Sequence, residues 1–220
     1  MKSEIIVTDD DSKTLLIPEL NETYHSTKGA LAEALHIFIK EGIVYSDKKQ
    51  LSIFEMGFGT GLNAILSLSH AIENKISIEY DTIEKYPLDY KSAKKLDYLE
   101  MASLNKIEEE YRLMFESEHF PVQLHPNFQF NSRIGDFKSI ALPTNKFDII
   151  FYDAFGPKVQ ANLWSQPMME KCFDILRENG FLVTYCAQGQ FKRNLKAAGF
   201  EVESIPGPPG KREMTRAFKR

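Results

Sequence analysis

The chain has few of the residues that build disulfides, metal sites or membrane spans. It contains only two cysteines, Cys172 and Cys186, whose apolar surroundings indicate core residues rather than a disulfide or redox pair. Its five histidines show no metal-ligand spacing. No apolar run approaches the roughly 18 residues of a membrane span, and acids at 9–11 replace the apolar region of a signal peptide. The sequence therefore predicts a cytoplasmic protein without a metal or membrane contact.

The overall composition is that of an ordinary globular protein. Hydrophobic residues make up 43% of the chain and charged residues 26%, and 220 residues suit one domain. The net charge of −4 argues against a general nucleic-acid binder, although residues 187–220 carry a net charge of +5. A basic end of this kind is either a phosphate-facing patch or a solvated helix face with a frayed tail, and composition alone does not separate the two.

Residues 53–63, with the sequence IFEMGFGTGLN, hold the most informative motif. Alternating apolar residues over 50–56 predict a strand, and helical spacing over 60–73 predicts a helix. Three glycines at every second position lie between them, where positive φ and close approach of a ligand to the backbone are tolerated. The free N–H groups of the helix start add a binding surface. The motif predicts a nucleotide-cofactor corner of a doubly wound α/β sheet; a turn that binds nothing is the alternative.

The order of the motif, an acid at Glu55 followed by Gly57, Gly59 and Gly61, differs from the dinucleotide fingerprint G-x-G-x-x-G. It resembles the first motif of the S-adenosylmethionine-dependent methyltransferases of the seven-stranded Rossmann-like class. The cofactor of that class carries an amino acid and a sulfonium instead of a pyrophosphate, so a carboxylate near the loop is acceptable.

Strand and helix patterns alternate along the rest of the chain. A short strand or hairpin is predicted within residues 1–24, then a helix capped by Thr27 and ending near Gly42. Further strands are predicted at 77–84, 127–135, 146–153, 181–186, 200–205 and 213–218, and helices at 88–118, 168–178 and 191–198. We therefore expect an α/β fold with a seven-stranded, mostly parallel sheet and a C-terminal antiparallel hairpin. Residues 1–45 would cover the site, and 46–220 would form the core with a helical insertion at about 88–118.

Acids end four predicted strands: Glu55, Glu84, Asp136 and Asp153. Ligands of open α/β sheets lie at the carboxyl ends of the strands. Glu84 is placed to accept hydrogen bonds from ribose hydroxyls, Asp136 to meet an adenine amino group, and Asp153 to lie nearest the reacting methyl group.

Four segments carry a closer resemblance: YHSTKGA at 24–30, FEMGFGTGLN at 54–63, DAFGP at 153–157 and GKREM at 210–214. In this order, and over about 16–218, they resemble the tRNA 5-aminomethyl-2-thiouridine methyltransferases, which complete 5-methylaminomethyl-2-thiouridine at the wobble position. Many bacteria fuse this domain to an FAD-dependent oxidase. With no second G-x-G-x-x-G, the chain resembles the stand-alone form, for which we expect S-adenosylmethionine and no FAD.

The resemblance implies roles for individual residues. The cofactor-binding set would be Glu55, Gly57, Phe58, Gly59, Thr60, Gly61, Asn63, Glu84, Lys85, Asp136 and Asp153. The substrate set would be Tyr24, Ser26, Gly29, Phe155, Lys211 and Arg212. Tyr24 and Phe155 suit a pyrimidine, which needs an aromatic face to stack upon; a role as core aromatics is the alternative, and the sequence does not separate the two.

The expected chemistry is direct displacement at the methyl group by an amine nitrogen. An alkylamine resembles the lysine side chain, whose pKa is about 10.4, and is therefore protonated at neutral pH. Asp153 would accept the proton of the amine or orient its N–H group through a hydrogen bond. The basic residues Lys192, Arg193, Lys196, Lys211 and Arg212 would meet phosphates of a tRNA anticodon arm.

Several other functions remain open from the sequence. They are a same-fold methyltransferase of a small amine, a polyamine aminopropyltransferase, a catalytically silent tRNA-binding module and an NAD dehydrogenase. The aminopropyltransferase is disfavoured because Asp153 has no close acidic neighbour in sequence.

Overall fold

The chain begins with a small antiparallel sheet that leads into the first helix. In a computed structural model, which describes residues 2–220, this sheet has the strand order β1 (Glu4–Val7), β2 (Lys13–Ile17) and β3 (Glu22–Thr23). Helix α1 (Ala30–Ala34) continues as a π-helix over Leu35–Val44, beyond the end predicted near Gly42. The predicted N-terminal hairpin is present as β1 and β2, whereas Met1 lies outside the described residues.

The start of α1 is capped from outside the helix, so the prediction that Thr27 caps it is wrong. Its N-cap is Gly29, which has no side chain to offer. Ser12 Oγ accepts the N–H of the first helical residue at 3.0 Å, and Asp10 Oδ2 accepts that of the third at 3.1 Å. The turn between β1 and β2 thus satisfies N–H groups that lack helical partners.

The main sheet contains eight strands among the described residues. They are β4 (Gln50–Met56), β5 (Ser77–Glu84), β6 (Val122–His125), β7 (Phe128–Ile134), β8 (Phe147–Tyr152), β9 (Leu176–Thr184), β10 (Glu201–Pro206) and β11 (Glu213–Phe218). Their spatial order is β10-β11-β9-β8-β4-β5-β7-β6. The five central strands are parallel, and β10 and β11 form the predicted antiparallel hairpin.

The eighth strand corrects the predicted count of seven. Strand β6 pairs antiparallel with β7 at the sheet edge. Its four residues, VQLH, alternate apolar and polar side chains, but a run this short is at the lower limit of the pattern that predicts a strand.

The predicted helix over 88–118 is also wrong as a single element. The structure has α3 (Tyr90–Lys94), α4 (Tyr98–Met101), a 3₁₀ turn at Asn105–Ile107 and α5 (Glu108–Glu116). Asp97 and Ser103 adopt left-handed backbone conformations, with φ of 56° and 57°, which interrupt a right-handed helix.

The remaining helices lie close to their predicted positions. They are α2 (Leu62–Asn74), α6 (Gln166–Ile175) and α7 (Gly189–Ala197). Helix α6 ends three residues earlier than predicted because Leu176 is extended and already pairs with Phe147 of the neighbouring strand.

The sheet is covered on both faces. Consecutive residues of β4 point to opposite sides, so Ile53 packs in one apolar cluster and Phe54 in the other. Strand β4 lies between β5 and β8, where the strand order reverses, and such a point opens a crevice at the carboxyl edge. Among residues 2–220, no helix has the length and apolar character to cross a bilayer.

Candidate active site

The glycine loop after β4 is pinned between the ends of the two neighbouring strands. The N–H groups of Gly57 and Phe58 donate to Ile83 O at 3.1 and 3.3 Å, and Asp153 N–H donates to Met56 O at 3.1 Å. All three loop glycines have positive φ, of 95°, 52° and 73° in chain order. A Cβ at Gly57 would lie 2.7 Å from Asp153 O, so this backbone contact excludes a side chain.

A cleft opens above this loop, here called the loop cleft, with about 830 Å³ of empty space including its mouth. Most predicted cofactor residues line it, together with two predicted substrate residues: Gly57, Phe58, Gly59, Thr60, Asn63, Glu84, Lys85, Asp136, Asp153, Tyr24 and Phe155. Two predicted cofactor residues do not. Glu55 is fully buried beneath the loop, and Gly61 packs against the rings of Phe58, Tyr111 and Phe115.

Asn63 connects the two acids at the base of the loop cleft. Its Nδ2 donates to Glu55 Oε1 at 3.0 Å and to Asp153 Oδ2 at 2.8 Å. Burial raises the pKa of Glu55 well above its usual range. Burial also raises the pKa of Asp153 to about 7, with Glu33 adding to the rise while the Asn63 hydrogen bond and Lys211 oppose it. The Asp153 carboxyl therefore changes charge near neutral pH.

Glu84, the last residue of β5, fixes the glycine loop by hydrogen bonds. Its carboxylate accepts the N–H of Gly59 at 3.0 Å and that of Tyr86 at 2.8 Å. Beside it, Lys85 Nζ lies 3.0 Å from Asp136 Oδ2. The pKa of Asp136 is lowered, first by the N–H of Lys138 and then by Lys85. The predicted nucleoside residues thus lie together at the ends of β5 and β7.

A second cavity, here called the side pocket, adjoins the loop cleft, with about 640 Å³ of empty space including its mouth. Five residues line both cavities: Tyr24, His25, Asp153, Ala154 and Phe155. The rings of Tyr24 and Phe155 meet edge to face, with centroids 5.1 Å apart. Asp153 therefore lies where a ligand in one cavity would face a ligand in the other.

The other predicted substrate residues divide between the side pocket and its surroundings. Ser26 and Lys211 line it. Gly29 packs against Asp10, where a Cβ would lie 2.6 Å from Oδ2, and Arg212 is exposed outside both cavities.

Sequence reasoning missed Glu33 and Tyr185, which also line the side pocket. Both had a detectable signal. Glu33 lies three residues after Ala30 and four before Ile37, so it occupies the apolar stripe of a helix, where a carboxylate is unusual. Tyr185 directly follows β9, at the same edge of the sheet as the acids that were predicted.

The structure also weakens one argument drawn from sequence spacing. Asp153 has no acid near it in sequence, yet Glu22 and Glu33 line the same side pocket. The separation in sequence therefore gives no ground against an aminopropyltransferase.

The residues present fit S-adenosylmethionine. Among residues 2–220, the buried atom Asn63 Oδ1 in the lining of the loop cleft has no hydrogen-bond partner. A buried acceptor without a donor is costly, and the methionine part of this cofactor carries an ammonium group that supplies donors. The loop glycines leave backbone accessible beside this acceptor. A loop of this form in a sheet with this strand order and closing hairpin defines a Rossmann-like methyltransferase.

Comparison with known proteins agrees with this class. The model of a family described as "S-adenosyl-L-methionine-dependent methyltransferase" matches residues 90–220, and the chain belongs to that family. The predicted fold class and cofactor are thereby confirmed.

The individual relatives point to one branch of this family. The chain is 29% identical to the tRNA 5-methylaminomethyl-2-thiouridine biosynthesis bifunctional protein MnmC of Cupriavidus metallidurans, over 91% of this chain and 32% of that protein. It is 26% identical to an uncharacterized protein of Methanocaldococcus jannaschii, over 98% of this chain and 59% of that one. The chain thus spans about a third of the length of the bifunctional relatives.

Two solved structures resemble this chain, one of them at 26% identity. The crystal structure of MNMC2 from Aquifex aeolicus matches with a TM-score of 0.77 and 26% identity, over 98% of this chain and 70% of that one. A spermidine synthase from Thermotoga maritima, at 15% identity and a TM-score of 0.56, shares the fold. The predicted resemblance to the methyltransferase part of MnmC is confirmed.

Proposed function

We propose that the chain transfers a methyl group from S-adenosylmethionine to the amine of 5-aminomethyl-(2-thio)uridine at the wobble position of tRNA, in the cytoplasm. The observation that supports this most is the place of Asp153, which borders both the loop cleft and the side pocket. The bifunctional relatives are named for the biosynthesis of 5-methylaminomethyl-2-thiouridine in tRNA, and this name supplies the substrate class.

In this proposal the loop cleft holds the cofactor. Asn63 Oδ1, an acceptor without a partner in the cleft wall, would receive its ammonium group, and Glu84 would receive its ribose hydroxyls. Bound there, the cofactor supplies a methyl group on a sulfonium, which the lone pair of the amine attacks in line while the sulfur leaves with its bonding pair. Tyr24 and Phe155 border the uridine at the boundary of the two cavities.

Asp153 takes the proton that the amine must lose. Asn63 engages Asp153 Oδ2 at 2.8 Å, and we assign Oδ1 to the amine. Only the carboxylate accepts a proton, and burial raises the pKa of Asp153 to about 7. The active form is therefore scarce below that pH and predominates above it, so the rate rises as pH increases through about 7.

A direct assay tests the reaction. The protein is incubated with methyl-labelled S-adenosylmethionine and either aminomethylated or unmodified tRNA, and the nucleosides are resolved by mass spectrometry. We expect label only in 5-methylaminomethyl-(2-thio)uridine and only with the aminomethylated tRNA. Label on a small amine supplied instead of tRNA would favour a small-molecule methyltransferase, and cofactor binding without transfer would favour a silent binding module.

We further propose that the anticodon region of tRNA binds across the basic C-terminal segment. Of its five predicted phosphate contacts, Lys192 is paired with Glu213 at 3.0 Å and Lys211 with Glu33 at 2.5 Å. Arg193, Lys196 and Arg212 are exposed. The exposed cations are the better candidates because a phosphate need not displace a carboxylate from them.

Salt dependence tests this interface. Each cation that meets a phosphate adds about 0.7–0.9 to the slope of log affinity against log salt. We expect Arg212→Gln and Arg193→Gln each to reduce the slope of tRNA binding by about that amount. Lys75→Gln, at the far end of α2 from the glycine loop, is the matched control and should leave it unchanged. An affinity that is flat with salt would contradict the interface.

A further inference from the structure

The side pocket contains an ion pair that the proposed reaction does not use. Glu33 of α1 and Lys211 of the loop between β10 and β11 are 178 residues apart in sequence, and Lys211 Nζ donates to Glu33 Oε1 at 2.5 Å. The side chains are 10% and 32% exposed, respectively, so the pair lies within the pocket wall rather than on the surface.

Both partners are fixed by contacts around Asp153. Glu33 Oε2 accepts the N–H of Ser26 at 2.9 Å. Lys211 Nζ lies 4.1 Å from the centre of the Tyr185 ring, and the Tyr185 hydroxyl donates to Ala154 O at 2.7 Å. The pair is therefore tied to the residue that follows Asp153 and to the segment that forms the opposite wall of the pocket.

Titratable and charged groups around Asp153 come from several elements. Burial raises the pKa of Glu55 in β4, Tyr80 in β5 and Tyr185 after β9, and the Asp153 charge adds to each rise. The charges that act on Asp153 itself are Glu33 of α1 and Lys211 of the closing loop. Glu33 raises the pKa of Asp153 and Lys211 lowers it. As a pair, the two charges oppose one another at this carboxyl.

We propose that the Glu33–Lys211 pair is a positioning device that holds two opposite charges in balance at Asp153, so that neither charge alone alters how readily this carboxyl takes the proton of the amine, and that Lys211 is not a phosphate contact. This inference rests on the proposed function for its catalytic meaning. Removing one charge exposes Asp153 to the other charge alone, while removing both restores the balance.

Four variants test the proposal by the titration of Asp153 itself. The protein is labelled with ¹³C at aspartate carboxyl carbons, and the Asp153 signal is assigned by its loss in Asp153→Asn. We expect Glu33→Gln to lower the pKa of Asp153 by about one unit and Lys211→Met to raise it by about one unit. The double variant and Lys211→Arg, which keeps the charge, should both titrate close to the wild type.

The rate of methyl transfer at a fixed pH should follow the shifts in the pKa of Asp153. At pH 6, Glu33→Gln should transfer methyl groups about five- to tenfold faster than the wild type and Lys211→Met about five- to tenfold slower, following the fraction of Asp153 carboxylate. Lys40→Met, an exposed residue of the π-helix that continues α1, is the control for loss of a positive charge and should leave the titration unchanged.

The outcomes separate this proposal from the proposed function. Shifts of the two single variants in the same direction, or no shift in either, would overturn the role of the pair. A wild type that does not methylate aminomethylated tRNA would overturn the reaction, while the carboxyl titration would still test the pair. A merely structural pair would lower thermal stability in both variants without opposite titration shifts.

Discussion

Asp153→Asn is expected to slow methyl transfer by about 10²–10⁴-fold, the usual contribution of a positioned general base. The amide cannot take the proton of the amine, whereas its oxygen can still accept the Asn63 hydrogen bond that now reaches Asp153 Oδ2. The loop cleft therefore keeps its shape, and the affinity for S-adenosylmethionine should remain close to that of the wild type. Single-turnover rates and calorimetric titration of the cofactor measure the two quantities separately.

The pH profile supplies a second readout for this variant. The wild-type rate should rise with pH through about 7, the value to which burial raises the pKa of Asp153, and the variant should lose this limb. Asp47→Asn, at an exposed position before β4, is the matched control and should behave as the wild type. Turnover near the wild-type level in Asp153→Asn would remove Asp153 from the mechanism.

Gly57→Ala is expected to weaken cofactor binding at least about tenfold, which corresponds to about 1.4 kcal/mol. At a φ of 95° an L-residue is strained, and the added Cβ would lie 2.7 Å from Asp153 O. Because that oxygen is backbone, relief requires β4 and β8 to separate at the site. Strained backbone of this kind costs on the order of 1–3 kcal/mol, so the free energy of unfolding should fall as well. Calorimetry with S-adenosylmethionine and urea denaturation measure both effects.

A matched glycine tests whether the effect is local. Gly189 opens α7, and a Cβ there would lie 3.4 Å from the end of the flexible Arg193 side chain. Gly189→Ala should therefore leave cofactor affinity unchanged and leave stability equal or slightly higher. Equal losses of cofactor affinity and stability in both variants would indicate a general effect of replacing glycine by alanine rather than a specific requirement of the glycine loop.

The sequence allows the central sheet and its loop to be predicted because their signals are local. Apolar runs such as 149–152 mark buried parallel strands, and the glycine spacing marks the turn between β4 and α2. Strand β6 carries only a four-residue alternation, and the breaks at Asp97 and Ser103 carry no such signal. The edge strand is held by pairing with β7, and the left-handed positions are occupied by an aspartate and a serine instead of a glycine that would mark them.

The candidate site likewise has a part that the sequence predicts and a part that it does not. The residues placed near the loop cleft come from strand ends, so one rule about parallel sheets locates Glu84, Asp136 and Asp153. The side pocket combines Glu33, Tyr185 and Lys211, which lie far apart in sequence and meet only through the fold. Lys211 is therefore predicted from the sequence as a surface cation, whereas in the structure it is the half-buried partner of an ion pair.

The side pocket and the glycine loop are built largely from different parts of the chain. One wall of the side pocket comes from residues 22–27 and Glu33, whereas the glycine loop and its acids follow after residue 50. Exchange of the N-terminal segment between relatives would thus reshape the side pocket and the edge of the loop cleft at Tyr24 and His25, while the glycine loop and its acids stay in place.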